Sequence, residues 1–301
     1  MSTARLLTPR PSRSDLKSDP ESEFQFTNRD FQTIADMVYQ RSGIVLAQSK
    51  STMVYSRLCR RLRDLKLSRF EDYIDLLKAP HGRDEIIAFT NAMTTNLTRF
   101  FRESHHFDAL AHDIVPYIRK HNSPNRHLRI WSAGCSSGEE PYSIAMTLSE
   151  HFPEFSSWDA RILATDLDTQ MLEKAQLGLY PKDQLKDIPK PYLDRHFKAM
   201  SNSNDQGEPL FQVKDTLRQM ISFKPLNLLQ AWPIKGQFDV IFCRNVMIYF
   251  DNPTKTELVR RFAQVLKPGG WLIIGHSETL LDQKSHFQLI GRTMYRQTGP
   301  E

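Results

Sequence analysis

Two rhythms of apolar and polar positions divide the chain. Between residues ~27 and ~92 the apolar positions recur at helical spacing. Phe31, Ile34, Ala35 and Val38 share one face of a helix that Asn28 can cap and Gly43 stops. Ser68 and Glu71 read as a capping box for a helix carrying Tyr73, Ile74 and Leu77 and ending before Pro80. A further helix spans about Arg83 to Met93. From Leu128 onward short apolar strands alternate with helices. The strands fall at 128–133, 161–165, 221–224, 238–243 and 271–275, which predicts a doubly wound, mostly parallel sheet. Lys267-Pro268-Gly269-Gly270 reads as a turn feeding the last of these, and Phe287 to Gln297 as an antiparallel hairpin.

Residues ~178 to ~220 break this rhythm with three prolines (Pro181, Pro189, Pro191) and a polar stretch, Ser201 to Glu208. The alternation Leu210-Phe211-Gln212-Val213 then predicts an inserted antiparallel β-subdomain. The expected organisation is a flexible tail over 1–23, an all-helical domain over 24–92 and an α/β domain over 93–301 that carries the insert.

Composition narrows the class. At 301 residues, 40% hydrophobic and 25% charged, the chain suits one sizeable α/β domain plus a smaller one. No apolar run approaches the ~20 residues of a membrane span, and the N-terminus lacks the apolar core of a secretory signal. Cys59, Cys135 and Cys243 are odd in number and scattered, so neither a disulfide framework nor a zinc site is expected and a cytoplasmic setting is. A net charge of +5 points to an acidic partner.

The chemistry begins after the first strand. Gly134-Cys135-Ser136-Ser137-Gly138 follows the run Leu128 to Ala133 and leads into Glu139 and Glu140, a strand, tight turn and helix in that order. Carboxylates in the first turn suit the positive helix end, but they would repel a pyrophosphate seeking the same amides. A cationic ligand with an ammonium and a sulfonium fits better, and S-adenosylmethionine is such a ligand. Asp166, 27 residues past Glu139 at the end of the next strand, is placed to accept ribose hydroxyls. The bland alternative is that the run "ATDLD" only caps the helix starting near Thr169.

Three further stretches make a match to a known family: Thr94 to Glu103 ("TTNLTRFFRE"), Gly138 to Ser143 ("GEEPYS") and Cys243 to Phe250 ("CRNVMIYF"). With "ATDLD", "LNLL" at 226–229 and "LKPGG" at 266–270, the chain from about Phe26 to Tyr295 resembles the CheR-type chemoreceptor methyltransferases. That resemblance implies a class I S-adenosylmethionine-dependent enzyme that esterifies glutamate side chains of bacterial chemotaxis receptors, leaving S-adenosylhomocysteine. It implies a cofactor site of Asn96, Thr98, Arg102, Glu139, Asp166, Asn227, Leu228, Arg244 and Asn245. Arg102 and Tyr249 are expected beside the transferred methyl. No metal is expected. The partners would be the receptors' cytoplasmic coiled coil and, through the insert, a receptor C-terminal peptide added as a strand at an edge offered by Leu210 to Val213 and the strand after it; a monomer is expected.

The chemistry agrees with what the motifs lack. A glutamate carboxylate, with a pKa of about 4.3, is an anion at neutral pH and needs no general base. Cys243 reads as a small core residue rather than a nucleophile. His105 and His106, adjacent on a helix, should diverge and are read as structural. A nucleic-acid methyltransferase would want an Asn/Asp-Pro-Pro-aromatic motif after the fourth strand, where Cys243-Arg244-Asn245-Val246 stands, or a prolyl-cysteine. A scaffold that binds S-adenosylmethionine without turnover is disfavoured by the joint presence of Arg102 and Tyr249.

One helix suggests substrate docking. In Ser51 to Leu67, Val54, Leu58, Leu62 and Leu65 form an apolar stripe. Arg57, Arg60, Arg61, Arg63 and Lys66 fill the remainder against Asp64. Arg57, Arg60 and Arg61 are the expected contacts to an acidic receptor surface.

Overall fold

The structure is a computed structural model that describes residues 23–152, 154, 157–204, 206–280 and 286–299. The expected tail lies outside these, apart from Glu23, whose carboxylate pairs with Arg63. The described chain forms two units. One holds the chain up to Arg41 together with Leu46–Met93, the other Ser42–Val45 together with Thr94 onward.

The first unit is four helices: α1 (Asn28–Ser42), α2 (Ser51–Leu65), α3 (Phe70–Lys78) and α4 (Arg83–Met93). Asn28 is the first helical residue of α1, and the cap belongs to Thr27. Its Oγ1 accepts the Asp30 N–H at 3.1 Å while Asp30 Oδ2 accepts the Thr27 N–H at 2.8 Å, a reciprocal capping box. The box expected at Ser68 and Glu71 does not form. Arg69 stands at the N-cap of α3 with no side-chain cap, and its guanidinium forks onto Asp72 instead. That start places Phe70 in the core, 4.5 Å from the Phe26 ring and 5.9 Å from Tyr55. Gly43 ends α1 at φ +70, as expected.

The second unit opens with α5 (His105–Ala109), a π-helical turn (Leu110–Ile114) and α6 (Val115–His121). The alternating part follows as β1 (His127–Ala133), α7 (Glu139–His151), β2 (Asp159–Asp166) and α8 (Thr169–Leu177). The insert holds β3 (Leu179–Pro181), α9 (Lys190–His196), β4 (Phe197–Ser203) and β5 (Pro209–Val213). A short α10 (Asp215–Arg218) leads to β6 (Ile221–Pro225) and β7 (Phe238–Cys243). The chain closes with α11 (Asn252–Val265), β8 (Leu266–Ile274), β9 (Phe287–Gly291) and β10 (Met294–Gln297).

Seven strands form one sheet in the order β6-β2-β1-β7-β8-β10-β9, parallel from β6 to β8 and antiparallel at β10 and β9. Side chains alternate between two buried faces: Leu128 and Ile130 join one apolar cluster, Trp131 and Ala133 the other. Chain order reverses at β1, so the crevice for a ligand lies beyond its carboxyl end, between β2 and β7.

Two expectations need correction. The Lys267-to-Gly270 segment is not a free turn but the first half of β8, where the register with β7 slips between Phe238 and Val240; Gly269 absorbs the slip at φ +73. In the insert, β5 is the middle strand of the order β3-β5-β4. Leu210 to Val213 therefore has both flanks paired, and the open edges belong to β3 and β4.

Candidate functional site

The glycine loop is held by backbone bonds to β2. The Gly134 and Cys135 N–H groups both donate to the Thr165 carbonyl, at 2.8 and 2.9 Å. Gly134 (φ +93) and Gly138 (φ +100) need glycine, for a Cβ at Gly134 would lie 2.3 Å from Val246 Cγ2 and one at Gly138 2.9 Å from the Tyr180 hydroxyl. Asp166 closes the arrangement: Oδ2 accepts the Ser136 N–H at 2.7 Å and Oδ1 the Asp168 N–H at 2.9 Å. Its carboxylate thus builds the loop, and each oxygen keeps a lone pair for a further donor. The capping role weighed for this run falls to Asp168, whose Oδ1 accepts the Gln170 and Met171 N–H groups. Its Oδ2 accepts from Thr94 Oγ1 and Asn96 Nδ2, each at 2.7 Å, so Asn96 is fixed against the end of β2.

Glu139 differs from its neighbours. It begins α7, is 4% exposed, and its carboxylate accepts the Ser137 hydroxyl, at 2.8 and 3.0 Å, and its own backbone N–H. Among the described residues no guanidinium or ammonium comes within ion-pair distance of it. Burial pushes its pKa up, with the Ser137 bond pulling the other way. A buried anion at a helix N-terminus that makes no ion pair among the described residues, with Lys174 acting only at longer range, suits a cationic ligand.

Glu140, by contrast, is saturated. It accepts from Ser132 Oγ at 2.7 Å and pairs with Arg244 at 3.1 Å. Arg244 is buried. It also donates to the Arg102 carbonyl, approaches Glu103 Oε2 at 3.5 Å and lies over the Phe107 ring. Its guanidinium thereby ties the end of β7 to the loop that carries Arg102. The side chain of Arg102 is half-buried and donates to the Leu97 carbonyl at 2.8 Å. Thr98 lies on the same loop, half-buried.

Asn245 sits in the left-handed region at φ +59, and Tyr249 ends a single 3-10 turn, Met247–Tyr249. The residue organising both is one the sequence reading passed over, Glu278. It is 5% exposed, and its carboxylate accepts the N–H groups of Asn245 (2.9 Å), Ile248 (3.2 Å) and Gly275 (2.6 Å). The available signal was a carboxylate three residues past Gly275 at a strand end. The Tyr249 carbonyl further accepts the Val45 N–H at 2.9 Å. On the far side of the crevice Asn227 Oδ1 caps the turn at Leu229, and the Leu228 carbonyl receives Trp232 Nε1 and Arg261.

Two groups in the chain depart from expectation. His105 and His106 do not diverge, because their rings lie 4.1 Å apart beside Glu103. In α2, Arg61 is committed within its own unit: it forks onto the buried Glu85 at 2.6 and 2.9 Å and reaches Asp64 at 2.9 Å. Arg57 donates to the Ala92 carbonyl at 3.2 Å. Arg60 is exposed and makes no ion pair among the described residues.

Comparison with known proteins covers nearly the whole described chain. Residues 29–94 match the CheR methyltransferase all-alpha domain and residues 96–296 the CheR methyltransferase SAM-binding domain. Chemotaxis protein methyltransferase 2 of Pseudomonas aeruginosa is 44% identical over 91% of this chain and 94% of its own length. The chemotaxis protein methyltransferase of Escherichia coli is 45% identical over 88% and 89% respectively. Among solved structures, magnesium protoporphyrin IX methyltransferase from Synechocystis aligns over 68% of this chain and 70% of its own at 14% identity, with a TM-score of 0.30, too loose a match to carry an argument.

Proposed function

Since the chain belongs to the CheR methyltransferase family, we propose that it methylates glutamate side chains of bacterial chemoreceptors, yielding glutamyl methyl esters. One observation carries the cofactor half of this reading: Glu139, a buried carboxylate with no ion pair among the described residues, at the amino end of the helix that follows the glycine loop. S-adenosylmethionine fits there through its ammonium, and supplies an electrophilic methyl carbon on a sulfonium that leaves as a neutral thioether. The nucleophile is already an anion, so no residue has to remove a proton. What the protein must do is align the carboxylate and keep water away.

Arg102 is suited to orient the incoming carboxylate, because one guanidinium nitrogen is pinned on Leu97 and the others are left to donate. Tyr249, on the turn that Glu278 fixes, would face the sulfonium. Asn96, Thr98, Asp166, Asn227, Leu228, Arg244 and Asn245 complete the cofactor site in this reading. Of these, Arg244 acts through its ion pairs, holding the Arg102 loop. A receptor C-terminal peptide would add to the free edge of β4 or β3 rather than to β5. Among the described residues no helix is long and apolar enough to cross a membrane, which suits an enzyme meeting receptors from the cytoplasm.

The test is to incubate purified protein with labelled S-adenosylmethionine and receptor-containing membranes. Base-labile methyl esters on the receptors are expected. Label that withstands base, or none at all, would rule the reading out and favour a different acceptor or a non-catalytic scaffold.

A further inference from the structure

Immediately after Arg102 the chain gathers a second cluster that the transfer reaction does not use. Glu103 adopts φ +57 and folds back, so that one ligand atom each from Glu103, His105 and His106 lie within 4.8 Å of one another. His106 is fully buried. Its Nε2 faces the Arg292 carbonyl at 3.3 Å and Thr293 Oγ1 at 3.0 Å. A carbonyl can only accept, so in the neutral ring Nε2 carries the proton and Nδ1 is left as a lone pair. That Nδ1 has no hydrogen-bond partner and stands 3.6 Å from Glu103 Oε2, two acceptors facing each other across a buried gap. His105 Nε2 is also buried without a partner.

We propose that Glu103, His105 and His106 form a binding site for a divalent transition-metal ion of the zinc type, separate from the methyl-transfer chemistry. Two neutral imidazoles and a carboxylate are a borderline-soft donor set that favours zinc or cobalt over magnesium or calcium. The outer contacts also suit a metal site. The His106 Nε2–H on a main-chain carbonyl fixes the tautomer that aims Nδ1 inward, and His276 Nδ1, 2.8 Å from Glu103 Oε1, orients the carboxylate. Tetrahedral zinc with bonds of about 2.1 Å sets ligand atoms about 3.4 Å apart, close to the Glu103–His106 separation, and His105 closes by side-chain rotation. Arg244 and Arg292 oppose a cation here; Glu103, Asp108 and Glu140 favour it, the last by neutralising Arg244. An ion so bound would fix Glu103 and with it the Arg102 peptide that Arg244 holds.

The experiment uses the full chain freed of metal by chelation. Titration with cobalt(II) is expected to give visible d–d absorption at one equivalent, and zinc to give heat by calorimetry and a raised melting temperature. His105→Ala, at the more exposed histidine, should abolish all three while leaving the metal-free melting temperature unchanged; Glu103→Gln should weaken zinc by tenfold or more. No cobalt band and no zinc heat at sub-millimolar ion would overturn the proposal. So would wild-type binding by His105→Ala, which would put the ion elsewhere.

Discussion

Helix α2 and the crevice beyond β1 are both dense in charge, and both were singled out by residue type. They differ in sign but share one internal division. In the crevice Asp168, Glu140 and Glu278 are filled by N–H groups, side-chain donors or Arg244 and Asp166 is half-filled by two N–H groups, while Glu139 has one side-chain donor, the Ser137 hydroxyl. In α2, Arg57, Arg61 and Arg63 are engaged inside their own unit, while Arg60 is exposed without an ion pair among the described residues. The difference within each set teaches more than the difference between them. A charge whose valences are filled by its own chain builds the surface, and the one left over is available to a ligand.

The comparison breaks most visibly at Glu278. Removing its carboxylate orphans three N–H groups, a buried one at Gly275 worth about 1–3 kcal/mol and part-buried ones at Asn245 and Ile248 worth less. Glu278→Ala is therefore expected to lose roughly 3–5 kcal/mol in urea unfolding, and with it all methyl transfer. Glu278→Gln keeps one carbonyl acceptor and should fall between. A fully stable Ala variant with normal activity would mean the turn carrying Tyr249 does not depend on this anchor.

Next comes Arg61. Its guanidinium is the counter-ion of the buried Glu85, which also accepts the Tyr73 hydroxyl at 2.7 Å. Arg61→Ala leaves that carboxylate uncompensated, a loss of roughly 2–4 kcal/mol, read as a lower melting temperature of the helical unit. Any defect in receptor methylation by this variant should track its stability, and should vanish when assayed well below the transition. A stable Arg61→Ala would return this residue to the set of free charges.

How far the sequence reached follows the same line. The central strands were legible as short apolar runs, β7 being buried throughout, and the edge strand β6 by its alternation of buried and exposed positions. The β8 start was not, because Pro268 and the glycines at 269 and 270 signal a turn while the register slip lets them stay in the sheet. The caps were misplaced: Thr27 took the role expected of Asn28, and the Ser68–Glu71 box does not form because α3 starts at Phe70, which enters the core. The pairing order that makes β5 a central strand depends on contacts distant in sequence, which alternation does not encode. At the site, motif residues were found as types in the right order. Which of them are filled by their own backbone, as Asp166 is, required coordinates.

That distinction is sharpened by pairing Glu139→Gln with Asp166→Asn. The Glu139 change should weaken S-adenosylmethionine by ~1.5–3 kcal/mol in calorimetry, the loss of a charged partner. It should not lower stability. Burial raises the Glu139 pKa, so its ionised form penalises the folded protein as pH climbs through that raised value, and Gln removes the penalty. For the same reason cofactor affinity in the wild type should rise with pH from the ordinary carboxylate range upward and then flatten, and Glu139→Gln should lose that rise. Asp166→Asn should lower both affinity and melting temperature, since an amide nitrogen cannot accept one of the two loop N–H groups. Matching behaviour of the two variants would erase the distinction between builder and binder.

The smallest expected effect is at Arg60. The side chain is exposed, so Arg60→Glu should change stability by less than about 0.5 kcal/mol. Its charge is nonetheless one that no ion pair among the described residues neutralises. If α2 meets an acidic receptor surface, reversal there acts on encounter: the apparent KM for receptor rises severalfold at low salt, while kcat and cofactor affinity hold. Salt should shrink the difference, because screening over a Debye length of about 8–10 Å at 0.1–0.15 M weakens the wild-type attraction and the variant's repulsion together. Comparing the ratio of KM values at low and high ionic strength separates this from a local packing defect, which salt would leave in place. A ratio of one at low salt would show that the basic face of α2 is solvated surface and that docking is carried elsewhere.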